Sequence, residues 1–79
     1  MNIAKVEEAV THGLLVGYRI NVTNPSLYTD IVERAIELPF NDSLTIEEDI
    51  AKDLSRKFSL YERSDHRKAA KAIRIYLFG

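Results

Sequence analysis

Side chains able to do acid–base or metal chemistry are few in this chain and badly spaced for it. The two histidines, His12 and His66, stand near opposite ends, and no H-x-x-x-H or H-E-x-x-H spacing occurs. With no cysteine in the sequence, a zinc site would need both histidines to converge with carboxylates. Adjacent acids occur at Glu7-Glu8 and at Glu47-Glu48-Asp49. Neighbouring helix positions point about 100° apart, so these acids do not meet at one substrate atom. No serine sits in a nucleophile-elbow sequence, and Gly13, Gly17 and Gly79 cannot build a phosphate-cradling loop. The expectation is a protein with no catalytic residues, no cofactor and no metal.

Charge is the feature with functional content. Residues 42 to 53 carry Asp42, Glu47, Glu48, Asp49 and Asp53 against Lys52, a formal −4, while residues 63 to 74 carry Arg63, Arg67, Lys68, Lys71 and Arg74 against Asp65, a formal +4. The total of −1 hides both. On a helix Arg67, Lys71 and Arg74 form one stripe that Arg63 and Lys68 widen. Tyr76 and Phe78 follow within the last turn, and aromatics beside arginines are the usual make-up of interface anchors. These seven residues are the expected partner-binding set. The partner is expected to be another protein, as for an adaptor, inhibitor or modulator, or a second copy of the chain whose −4 segment meets the +4 segment. DNA or RNA is the alternative partner, disfavoured by a pI of about 6.1.

Seventy-nine residues with 46% hydrophobic and 29% charged side chains make one small folded domain over residues 1–79. Stability must come from packing, since no disulfide is possible. The longest apolar run, Leu14-Leu15-Val16, is far short of the roughly 20 residues a membrane span needs. The N-terminus has acids where a signal peptide has basic residues, so a cytoplasmic setting without membrane contact is expected.

The elements that must hold the basic stripe read as helices. Ile3, Val6, Ala9, Val10 and Leu14 line one helical face from about residue 2. That helix either continues to about residue 20 or stops at Gly13, leaving an alternating strand over 14–23 that pairs with 73–78. Asn24-Pro25 reads as a cap and first helical residue, with Leu27, Ile31, Val32, Ala35, Ile36 and Leu38 inward, Pro39 as terminator and Phe40 as a plug at the bundle's end. Thr45 and Glu48 fit a capping box before Ile46, Ile50, Leu54 and Phe58, with the acids of its first turn and Arg56-Lys57 of its last complementing the helix dipole. Ser64 or Asp65 caps a last helix with Ala69, Ala70, Ile73, Tyr76 and Leu77 inward. The expected fold is all-α, a bundle of three or four short helices, with a strand pair as the α+β alternative.

Ile50-Ala51-Lys52-Asp53-Leu54 resembles the first helix of a helix-turn-helix unit. Ser55 stands where that motif has a turn glycine and Arg56 where it has a buried aliphatic residue. The resemblance implies a second, recognition helix beginning near Lys57, against the four-residue periodicity that runs on to Phe58.

Overall fold

The computed structural model describes residues 2–36 and 43–79. Four α-helices follow one another: α1 (Ile3–Tyr18), α2 (Thr29–Ile36), α3 (Ser43–Lys57) and α4 (Arg63–Phe78), with a 3₁₀ turn at Pro25–Leu27 before α2. No strand occurs among the described residues. The protein is a small all-α bundle, and both segments of the strand alternative fail: residues 14–18 belong to α1 and 73–78 to α4.

α4 makes the most extensive contact in the molecule with α1 and the next with α3, while α2 bridges α3 and α1 on the other side. Val6, Val10 and Leu14 from α1 meet Ile31 and Val32 from α2, Ile50 and Leu54 from α3, and Ile73 from α4, all essentially without solvent exposure. Each removes a branched side chain from water, at about 1.5–3 kcal/mol apiece.

α1 starts where Asn2 accepts a hydrogen bond from the Ala4 amide at 2.8 Å, an N-cap. It does not stop at Gly13. The helix runs to Tyr18 and leaves through Arg19, which adopts φ 58° in the left-handed region. Gly13 and Gly17 instead serve a close helix crossing. α1 and α4 run antiparallel, and a Cβ built at Gly13 would collide with the Ile73 side chain and reach the Ala69 carbonyl oxygen at 3.0 Å. At Gly17 it would meet the Ala69 Cα and backbone nitrogen at 2.9 Å each.

Several expected boundaries move. Asn24 makes no capping bond to a helix, and its Oδ1 accepts from the Ser26 hydroxyl at 2.5 Å. Pro25 opens only the 3₁₀ turn, α2 begins at Thr29, and Leu27, expected inward, is 62% exposed. Ile3 at the frayed start of α1 and Tyr76 near the end of α4 are likewise exposed and not core. α3 begins at Ser43, so Thr45 lies inside it and the Thr45/Glu48 pair is no N-terminal capping box; Glu47, Glu48 and Asp49 fall beyond the first turn. Arg56 and Lys57 do occupy its last turn. The N-cap of α4 is Glu62, whose amide donates to Asp65 Oδ2 at 3.2 Å, in place of Ser64 or Asp65. The expectations for Leu38, Pro39 and Phe40, and for the Ile36 side chain, lie outside the described residues. α3 is unbroken through Ser55 and Arg56, so the turn and second helix implied by the helix-turn-helix resemblance do not occur there.

Gly17→Ala should lower stability although alanine is the better helix former. The propensity gain of about 1 kcal/mol is outweighed by displacing the α4 backbone, for a net loss of about 1–2 kcal/mol. Urea denaturation followed by circular dichroism reads this as a lower midpoint with unchanged helicity.

Candidate functional site

α3 and α4 descend into the turn at residues 58–62 and return side by side, leaving an open groove of about 1040 Å³ between their outer faces. Glu47, Glu48, Ala51, Lys52, Ser55 and Ser59 form one wall, and Arg63, Ser64, Arg67, Lys68 and Lys71 the other, with His66 at the floor. The α4 wall faces outward because Ala69, Ala70, Ile73 and Leu77 fill the opposite side of that helix and are buried.

Electrostatics separate the cations into two groups. Arg74 Nε donates to Glu47 Oε1 at 3.2 Å, with both side chains mostly shielded from water. Arg63, Arg67, Lys68 and Lys71 are exposed and, among the described residues, none has a carboxylate within 4 Å. Lys52 joins them from α3, the one cation of the acidic segment. Two of the four described acids of that segment, Glu47 and Asp53, are used by the fold. Asp53 is buried and accepts from Arg34 at 3.3 Å and Arg56 at 2.9 Å. Glu47 is held by Arg74, and Glu48 is the exposed acid left on the groove wall.

The two aromatic anchors expected beside the stripe do not join it. Tyr76 projects toward α1, where its hydroxyl donates to Glu8 Oε2 at 3.0 Å and its ring lies 5.5 Å from His12. The bond to the Glu8 carboxylate raises the Tyr76 pKa. Phe78 is half exposed beyond Arg74 and is not part of the groove wall. Four of the seven expected residues therefore stand together in the groove, a fifth is neutralised at its edge, and the two aromatics lie elsewhere.

Sequence reasoning missed Lys52, Ser55 and Ser59, whose spacing of three and four along α3 was the available signal, and it assigned no role to Leu60 and Tyr61 in the turn. Leu60 is 98% exposed. Its turn is nonetheless anchored: the Tyr61 amide donates to the Phe58 carbonyl at 3.1 Å, and the Tyr61 ring lies 4.7 Å from that of Tyr18.

Beneath the turn lies an aromatic cluster. Tyr18 stacks on Phe58 at 4.8 Å, Phe58 meets Tyr28 at 5.7 Å, and Tyr18 Oη is 2.6 Å from His66 Nδ1. His66 is thus a buried residue of the aromatic cluster. Burial first, then the nearby Asp65 charge and Tyr61, push the Tyr18 pKa well above the ordinary tyrosine value. Tyr18 therefore stays protonated, and its hydroxyl and the His66 ring share one hydrogen bond whose direction follows the imidazole tautomer. No grouping of three or more metal-ligating side chains occurs among the described residues. No described helix is long and apolar enough to cross a membrane. Comparison with protein-family models, curated proteins and solved structures returns no match, so function rests on the groove's own geometry.

The burial of the Tyr18 hydroxyl beside Asp65 has a pH signature. A tyrosine whose pKa is raised on folding binds its proton more tightly in the folded state, so its contribution is complete below about pH 10 and is lost as pH climbs above the unfolded value. Urea midpoints should therefore fall above about pH 10, and Tyr18→Phe should flatten that limb while leaving the slope due to Tyr76. Midpoints measured from neutral pH upward in both proteins check it; parallel limbs would contradict the assignment.

Proposed function

We propose that this protein is a non-enzymatic interaction module of the adaptor, inhibitor or modulator kind, which binds an anionic surface of a protein partner through the basic face of α4. The observation that carries this reading is the set of four exposed cations, Arg63, Arg67, Lys68 and Lys71, which have no ion pair among the described residues, on a helix whose fifth cation, Arg74, is paired with Glu47. A surface kept only for solubility would use mixed signs. Here one sign is concentrated along about three helical turns while the chain as a whole is slightly acidic.

A second copy of the chain is the weaker partner. An isologous contact needs free carboxylates to face the cations, and with Asp53 and Glu47 bound within the fold only Glu48 and Asp49 of the described acidic segment are left to meet four cations. The aromatic contribution also changes: with Tyr76 tied to Glu8 on α1, apolar contact beside the basic face falls to Leu60 and Tyr61.

Nucleic acid is the second reading, favoured by the spacing of Arg63, Arg67 and Lys71. Four residues of helix rise about 6 Å, close to the separation of successive phosphates along an extended strand. Against it stand Glu47 and Glu48 on the opposite wall and the acidic pI.

Charge reversal at Arg67 and Lys71 tests the proposal. Both side chains are exposed and unpaired, so the double variant Arg67→Glu/Lys71→Glu should keep the wild-type urea midpoint to within about 0.5 kcal/mol. Affinity capture from the native cell should lose its partner protein with that variant and keep it after nuclease treatment. Loss on nuclease treatment, with a steep linear fall in log affinity against log salt, would establish the nucleic-acid reading instead. Retention of every partner by the reversed variant would refute both.

A further inference from the structure

Resting on that reading, we infer that the α3–α4 groove is the seat for an acidic amphipathic helix of another protein, with its carboxylates against the α4 wall and an apolar side chain over Leu60. Five cations line the groove against two carboxylates, and one of those two, Glu47, is already neutralised by Arg74 outside the lining. The excess is positive overall, with Glu48 the one uncompensated carboxylate in the lining, and calls for an anionic occupant.

The form of the occupant follows from the walls. The residues that α3 and the start of the following turn present are small where they are not charged: Ala51 and Ser55 on the helix and Ser59 just beyond it. Small side chains on one helix leave room for the ridge of another to settle between two helices, the same device that Gly13 and Gly17 use on the far side of α4. A phosphate strand gains nothing from this shape and would be repelled by Glu48. A helix can avoid Glu48 by placing an uncharged residue there, because only one of its faces enters the groove.

Leu60 is outside the groove lining but next in sequence to it, and offers apolar surface in the turn that joins the two walls. It lies between Ser59 and Arg63, both groove residues, and its side chain is almost wholly in water. The Tyr61 amide bond and the Tyr61–Tyr18 ring contact hold its turn in place, so presenting this leucine to a partner costs little ordering entropy. A purely acidic peptide cannot use it. An amphipathic one can.

The test uses the full chain and three fluorescein-labelled probes read by anisotropy: a helical peptide with leucines on one face and glutamates on the other, polyglutamate, and single-stranded oligothymidylate. The amphipathic peptide should bind most tightly. Ser55→Trp, which fills the groove and changes no charge, should weaken it by about tenfold, and Leu60→Ser by about tenfold while leaving polyglutamate binding unchanged. Both positions are exposed, so wild-type circular dichroism and urea midpoints are expected of the variants. Amphipathic-peptide binding that is lost in Arg67→Glu/Lys71→Glu but unaffected by Ser55→Trp and Leu60→Ser would place the partner on the outer stripe, overturning this inference and leaving the proposed function intact. Tighter binding of oligothymidylate than of the peptide would overturn it in favour of a nucleic-acid occupant. Peptide binding unchanged by the charge reversal would overturn the inference together with the function on which it rests.

Discussion

The structure depends on how closely α1 and α4 approach each other. Gly13 and Gly17 present bare backbone to Ile73 and Ala69, and Ala69 and Ala70 answer with single methyl groups that are completely buried. A chain this short encloses little volume, so it gains more from bringing two helices into near contact than from filling a wider space with larger side chains. Everything functional is placed by that contact. With one side of α4 sealed against α1, its opposite side must face α3 and solvent, and this is the side that carries Arg63, Arg67 and Lys71.

The same packing explains why charge ended up sorted in space as well as in sequence. Acidic side chains near the helix–helix seams found internal partners: Asp53 with Arg34 and Arg56, Asp30 with Lys57, Glu47 with Arg74. Exposed ion pairs contribute little to stability, and the contacts that matter are those whose loss would leave Asp53, or either member of the Glu47–Arg74 pair, partly desolvated without compensation. Four of the cations left over lie together on the outer turns of α4, with Lys52 of α3 facing them across the groove. The positive groove is what these five make once Arg74 has been paired with Glu47.

The aromatic cluster at the turn links the two halves of this description. Tyr18 closes α1, His66 opens the second turn of α4, and Phe58 and Tyr61 belong to the connection between α3 and α4. Fixing these rings against one another fixes the end of the groove and the position from which Leu60 projects. A polar pair inside an apolar cluster, fully satisfied at 2.6 Å, specifies one arrangement of the three elements that meet there.

Periodicity alone established the helices and most of their inward faces, because Val6, Val10 and Leu14, Ile50 and Leu54, and Ala69 and Ile73 recur at helical spacing whatever surrounds them. It also put the basic residues on one stripe, since four-residue spacing survives any tertiary arrangement. Boundaries were less legible: Gly13 reads equally as a cap and as a close-contact site, and only the presence of Ile73 opposite it decides between them. Pairing and exposure belong wholly to the tertiary structure. That Arg74 is spent on Glu47 while Lys71 has no ion pair among the described residues, and that Tyr76 turns to Glu8 and away from the stripe, both depend on which helix lies next to α4 and at what height. Neighbours distant in sequence set those contacts, and a one-dimensional pattern carries the angle of a side chain about its own helix but not what waits at that angle.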